Sequence, residues 1–251
     1  ESNACRELWR IIQNEDISLD YRDRAAEKLE QVAEYGDAYA QYRMGQLYRD
    51  GPLLIPDNHK AKHWLSQAAI QGLPEAQYAL GKLLLSDDWE VRDTDEGIRW
   101  LKQAAENGSH FAAYRLGKEY LEGNAVNKDT VRAADWFTKS AEAGNQYAQY
   151  MLGKLCLTGQ GLPRDQAQAM VWFSRSAAQG NQYAQFFLEQ RNDLRPPSVM
   201  LAVTRLLYHM SRIFEDHALP RSGTGLHIDR KSRQKLMEKR IAMGHKPDDH
   251  E

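Results

Sequence analysis

His59 and His63 stand four residues apart, the spacing that puts two imidazoles on one face of a helix and within reach of a single metal ion. A stable site needs a third and a fourth ligand, and no convincing candidates accompany them, so the pair is read as surface residues. Near the end of the chain His245, Asp248, Asp249 and His250 gather nitrogen and oxygen donors, but in a stretch with the composition of a solvated tail. Cys5 and Cys156 show neither a C-x-x-C spacing nor the density of a disulfide-stapled domain, and read as reduced, packed thiols. No phosphate-binding P-loop, dinucleotide glycine fingerprint or G-x-S-x-G elbow occurs. The expectation is a chain without an active site, metal or cofactor, for which no small-molecule substrate is sought.

What organises these side chains is a repeat. Gly36, Gly72, Gly108, Gly144 and Gly180 follow one another at a fixed step of 36 residues. The same step relates Ala40 to Ala76, Ala112, Ala148 and Ala184, and Gly45 to Gly81, Gly117 and Gly153. It also relates Trp64 to Trp100, Trp136 and Trp172, and Asp57 to Asp93, Asp129 and Asp165. The residues one or more repeats on from His63 are Arg99, Asp135 and Val171, a free variation that suits a solvent-facing position.

Each unit reads as two helices. Ala40, Met44, Leu47 and Tyr48 give the first an apolar face at helical spacing, and Ala61, Trp64, Leu65, Ala68 and Ala69 do the same for the second. The repeated Asp is placed to N-cap the second helix, and the repeated Gly to end it in the left-handed conformation. Asp37, Ser109, Asn145 or Asn181 then caps the next first helix, while Leu73-Pro74 puts a proline at a tolerated first-turn position. The fold class predicted is all-α: a right-handed superhelical solenoid of antiparallel helix pairs with a 36-residue repeat. The Trp series is expected to fill the space between units, so that Trp136→Ala costs about 3–5 kcal/mol.

The run from Gly144 through Asn145-Gln146-Tyr147-Ala148-Gln149-Tyr150-Met151-Leu152 to Gly153 closely resembles the motif of the Sel-one-like repeat, a relative of the tetratricopeptide repeat. The resemblance covers residues 36–191, with four full units and a fifth first helix. Unit two departs from it, with Ser86-Asp87-Asp88-Trp89 in place of the loop glycines. Residues 1–35 read as a degenerate N-terminal capping helix pair.

Beyond the repeats, Pro196-Pro197 breaks the chain, and Val199, Val203, Leu206, Met210 and Ile213 mark a closing helix within residues 192–219. Residues 220–251 read as a flexible basic tail. The whole chain carries 33 Lys and Arg against 35 Asp and Glu, yet residues 221–251 carry eight against five, which suggests an anionic partner for the tail. Arg221, Arg230, Lys231, Arg233, Lys235, Lys239, Arg240 and Lys246 are the candidate nucleic-acid contacts. The segments 207–216 and 238–250 resemble the C-terminal end of plasmid mobilisation relaxases from Gram-positive bacteria. Relaxase nicking uses a catalytic Tyr with a His-x-His metal cluster, and no His-x-His is present in the chain. The resemblance therefore implies a non-catalytic C-terminal module of a protein for conjugative DNA transfer. A cytoplasmic location is expected for the chain.

Solenoids of helix pairs bind partners on a concave surface lined by first helices. The non-core stripe of those helices gives Tyr39, Arg43 and Gln46 in the first unit and Glu75, Ala79 and Lys82 in the second. Phe111, Arg115 and Lys118, then Tyr147, Met151 and Lys154, then Tyr183, Phe187 and Gln190 continue it. An aromatic row beside a basic row suits an extended, acidic peptide or a terminal carboxylate; ordinary exposed side chains with locally balanced charge would give the same pattern. The partner expected is a protein or extended peptide in this groove, with DNA at the tail as the alternative. No stretch approaches the length of a membrane helix.

Overall fold

A computed structural model describes residues 3–51, 53–88 and 90–190, all within the first of the chain's two units, Glu1–Met200. The closing helix, the linker and the basic tail lie outside the described residues. Among those described there are eleven helices and no strand. Helices α1 (Asn3–Gln13) and α2 (Leu19–Glu34) precede four pairs: α3 (Ala38–Asp50) with α4 (Asn58–Ile70), and α5 (Pro74–Leu84) with α6 (Thr94–Glu106). Then come α7 (His110–Glu122) with α8 (Thr130–Glu142), α9 (Gln146–Thr158) with α10 (Gln166–Ala178), and finally α11 (Gln182–Gln190). Each helix packs on its neighbours in chain order, as in a solenoid.

The helix ends follow from the repeated residues. Asp57, Asp93, Asp129 and Asp165 each accept a backbone N–H from the first turn of a second helix, at 2.9–3.0 Å in the bonds to Lys60, Glu96, Arg132 and Gln168. The N–H of each Asp in turn donates to the preceding helix, as from Asp129 to Tyr120 O at 2.8 Å, so one residue closes the loop and opens the helix. Gly108 shows the reverse turn. At φ +90° it donates to Ala105 O, and Ser109 N donates to Ala104 O at 2.9 Å, which is the Schellman pattern. Ser109 then caps α7 through Ala112 N. Helix α5 starts at Pro74 without a side-chain cap.

Within each pair the two helices approach until a glycine on one touches a large side chain on the other. Gly45 faces Leu65, Gly81 faces Leu101, Gly117 faces Phe137 and Gly153 faces Phe173. All four partners are fully buried. The tryptophans are therefore not the centre of the core. Trp64, Trp100 and Trp136 are only half-buried, and Trp172 is the one buried member of the series. The residue immediately after each Trp takes the inward position, while Trp136 packs against the cluster formed by α6 and α7, with Lys139 Nζ 4.2 Å from its ring centre.

A second device joins successive units. Gln41, Gln77 and Gln149 are buried, and each donates through Nε2 to a carbonyl at the end of the preceding second helix, at 3.1 Å to Ala33, Ala69 and Ala141. The free carbonyl of each amide accepts in turn from a residue thirty positions later: Gln71 onto Gln41, Asn107 onto Gln77, Gln179 onto Gln149. The third unit has alanine at both places, Ala113 and Ala143, so donor and acceptor are lost together. There Ser140 Oγ donates to His110 O at 2.6 Å and the Asn145 amide meets His110 Nδ1 at 3.2 Å.

Candidate functional site

The first helices α3, α5, α7, α9 and α11 carry the proposed groove residues, and their aromatic side chains touch from unit to unit. Tyr78 packs on Phe111 at 6.2 Å between ring centres, Tyr114 on Tyr147 at 6.1 Å, and Tyr150 on Tyr183 at 5.9 Å. Tyr114 and Tyr150 also rest on Phe137 and Phe173 of their own pairs, so the ladder is anchored in the core. Phe111 and Tyr147 keep 52% and 41% of their surface exposed, which leaves two ring edges available on an otherwise packed row. Tyr42, Tyr78, Tyr114 and Tyr150 were absent from the sequence-based stripe, although their own 36-residue spacing was a signal for them.

The ladder stops at the second unit, where the residue in phase with Phe111 is Glu75. At that end the rings turn to Arg43. Its guanidinium lies 4.6 Å from the Trp9 ring centre and 4.8 Å from that of Tyr39. It donates to Tyr39 Oη at 2.7 Å and Gln46 Oε1 at 2.9 Å, while Gln46 Nε2 donates to Tyr42 Oη at 2.8 Å. Tyr39, Arg43 and Gln46 are thus engaged with one another.

Three residues of the expected stripe are buried in the structure. Met151 and Phe187, in phase with Arg43, are buried, and so is Ala79; Phe187 packs on Phe173 at 4.2 Å between ring centres. At this register the contacts run to the preceding unit, and an apolar side chain there joins the core. An arginine at the same place is half-buried and turns its head along the helix. Arg115 does so toward buried Glu119, its Nε 2.8 Å from Glu119 Oε1, an ion pair by distance that lacks hydrogen-bond alignment.

The position three residues on behaves differently. Lys82 is exposed, and Lys118 and Lys154 are half-exposed. The surroundings of Lys82 are nevertheless crowded: burial first, then Arg49 of the preceding unit, push its ammonium below the ordinary lysine value. Asp50 opposes this, and Arg115 and Lys118 of the following unit add to it. Arg49, itself close to Asp50, was not in the sequence-based set. Burial raises the neighbouring Tyr42 and Tyr78 phenols, and Arg49 lowers both.

The histidine pair does not converge on a site. His59 Nε2 lies 3.3 Å from Glu90 Oε2, and the His63 ring meets Trp64 edge-on. Among the described residues no cluster of three or more His, Cys, Asp or Glu could hold a metal ion. Cys5 and Cys156 are buried and neither is in a disulfide, as their spacing predicts, with Cys5 Sγ 3.8 Å from Asp37 Oδ1.

The Sel1 repeat family model matches the chain over residues 38–73, 74–109, 110–145 and 146–181. The chain belongs to the Sel1 repeat family. It is similar to a Sel1 repeat protein from Oxalobacter formigenes, at 36% identity over 66% of this chain and 48% of that one, with a TM-score of 0.58. A protective antigen of uropathogenic Escherichia coli with an SLR fold is 26% identical over 96% of this chain and 54% of that one, at a TM-score of 0.67. The chain spans about half the length of these two proteins. The immunity protein Pa5087 from Pseudomonas aeruginosa, 22% identical over 78% of this chain and 72% of its own, shares the fold at a TM-score of 0.50. No curated protein sequence matches the chain. Sel1 repeat proteins act as protein-interaction scaffolds and are generally non-catalytic. Among the described residues no helix is long and apolar enough to cross a membrane.

Proposed function

We propose that this chain is a non-catalytic scaffold that holds a partner protein on the face formed by its first helices. One observation carries the reading: ring contacts link α5 to α7, α7 to α9 and α9 to α11 and leave Phe111 and Tyr147 exposed among them, with Lys82, Lys118 and Lys154 on the same helices. Rings held by their neighbours offer contact area at little cost in side-chain entropy, which is what makes aromatic residues effective at interfaces. Tyr39 and Tyr183 extend the row at its two ends. The test is recovery of partners from cell extract by the full chain and by Phe111→Ala/Tyr147→Ala. Recovery is expected to fall with the double variant while its melting temperature stays within about two degrees of the parent, since both rings are partly solvated. Unchanged recovery sinks the reading.

Membership of a mobilisation relaxase rests on the resemblance of residues 198–251, and nucleic-acid contact by the tail rests on the excess of Lys and Arg in residues 221–251. A His-x-His cluster with a catalytic Tyr upstream of Glu1 in the parent gene is the result expected for the relaxase assignment. A truncation lacking residues 221–251 tests the tail in a gel shift.

A further inference from the structure

We propose that His110 is a pH gate on the first-helix face: its neutral ring holds the cap of α9 that orients Tyr147, and protonation of the ring releases that cap and weakens partner binding. The proposal rests on the binding face argued above and adds its regulation.

His110 connects the two exposed rings of that face. Its imidazole packs on Phe111 at 4.1 Å between ring centres. On the other side its Nδ1 meets the Asn145 amide at 3.2 Å, and Asn145 Oδ1 accepts from Tyr147 N at 2.9 Å and Ala148 N at 3.0 Å. Asn145 is buried, where a lost hydrogen bond is not replaced by water. In this orientation its amide donates to a ring nitrogen that carries no proton. Once Nδ1 is protonated, donor faces donor, and the amide can satisfy the ring only by turning Oδ1 toward it and away from Tyr147 N and Ala148 N. One side chain cannot then serve both. The first turn of α9, which carries Tyr147, loses its cap, and a cation stands against Phe111.

The neighbouring joint has the same cap without the titrating partner. Ala38, Pro74, Gln146 and Gln182 are in phase with His110, so the register titrates at this unit alone. Asn181 is buried and caps α11 through Tyr183 N at 3.0 Å and Ala184 N at 3.2 Å, while its Nδ2 reaches Gln146 O at 3.4 Å. A backbone carbonyl is an acceptor at every pH. The charged residues on the elements around His110 are Glu75 in the first turn of α5, Glu106 at the end of α6, Lys139 and Glu142 in the last turn of α8, and Lys154 on α9. Burial, and none of these charges, is what lowers the ring's pKa, so the gate acts below the ordinary histidine value of about 6.5. Above that value the ring is neutral and the face is held in its binding form.

The experiment takes as its probe the proteins that the immobilised full chain recovers from extract at about pH 7.5 and that Phe111→Ala/Tyr147→Ala does not. At about pH 5 they are expected to leave the parent about tenfold faster than His110→Gln, with equal rates at about pH 7.5, because His110→Gln installs the residue that Gln146 supplies one repeat later. Asn145→Asp keeps the titrating ring but offers a carboxylate, which accepts from the imidazolium and from Tyr147 N together, so it too should hold its partner at about pH 5. Amide hydrogen exchange on the parent alone should show Tyr147 and Ala148 losing protection over this range while Tyr183 and Ala184 keep theirs. Release at equal rates from the parent and His110→Gln overturns the gate. So does release from Asn145→Asp as fast as from the parent, which would assign the effect to charge beside Phe111 and not to the cap, and so does an equal loss of protection at the two joints. If no recovered protein depends on Phe111 and Tyr147, the binding face fails and the gate with it; equal acid release with that dependence intact rejects the gate and leaves the face standing.

Discussion

Gly117 on α7 faces Phe137 on α8 so closely that a Cβ added to the glycine would lie 2.7 Å from Phe137 Cδ1. The contact explains why glycine recurs in mid-helix at a position where it costs helical stability: without a side chain, the partner helix can approach until its largest residue is fully enclosed. Gly117→Ala should therefore destabilise the fold by about 1–3 kcal/mol despite alanine's better helix propensity. Phe137→Ala should cost about 3–5 kcal/mol, and Trp136→Ala about 1–2 kcal/mol because the indole is half-exposed. Urea denaturation of the three variants checks the order; a Trp136→Ala loss equal to that of Phe137→Ala would restore the tryptophan to the centre of the core.

That ordering marks what the sequence made legible. The 36-residue step, the Asp and Asn caps and the glycine stops are local chemistry, and each was readable because its cause lies within a few residues. Trp136 and Phe137 are adjacent, and hydrophobic periodicity cannot tell which of two neighbouring aromatics a close helix contact will enclose. Gln149 reads as a surface residue in any polar-apolar pattern, yet it is buried, because the carbonyl it satisfies belongs to the preceding unit. On the proposed face, the solvent access of Lys82, Lys118 and Lys154 is what their place off the apolar stripe predicts. The register of Arg43, Met151 and Phe187 was not legible, since a side chain there turns inward or outward according to its own chemistry.

The glutamine ladder gives a second test. Gln149→Ala alone strands Ala141 O and removes the acceptor of Gln179, which should cost about 1–3 kcal/mol. Adding Gln179→Ala recreates the Ala113 and Ala143 arrangement of the third unit, and the double variant should lose less than the sum of the singles. A double-mutant cycle in urea measures the difference; strict additivity would mean that the two amides do not support each other.

Lys82 provides a prediction about how stability depends on pH. Its folded pKa is lowered, so the unfolded chain holds the proton more tightly, and charged Lys82 destabilises the fold throughout the range below its folded value. Stability from this group rises as pH climbs from the folded pKa toward the ordinary lysine value of about 10.4. Lys82→Gln should therefore melt no lower than the parent at neutral pH, and should lack the parent's alkaline gain. Thermal melts at neutral pH and at about one unit below the lysine value compare the two, and a marked destabilisation by Lys82→Gln at neutral pH would contradict the electrostatic account.

His110 makes the joint between the third and fourth units sensitive to acid. Burial lowers its pKa, and its Nδ1 faces the Asn145 amide at 3.2 Å while the Asn145 carbonyl caps α9 through Tyr147 and Ala148. An amide N–H can donate to Nδ1 only when that nitrogen carries no proton, so the contact, in this orientation of the amide, selects the neutral ring protonated on Nε2. Because the folded value lies below the unfolded one, the unfolded chain takes up the proton first as pH falls. The stabilisation is complete above the ordinary histidine value of about 6.5 and is lost as pH drops through it toward the lower folded value. His110→Gln keeps the backbone carbonyl that accepts from Ser140 and removes the titrating ring. The parent should lose more stability than His110→Gln as pH falls below the ordinary histidine value of about 6.5, with no difference well above it. Amide hydrogen exchange in α9 should report the same loss, because protonating the ring pulls the Asn145 side chain away from its cap. Identical pH dependence in the two proteins would show that His110 titrates alike in the folded and unfolded chain.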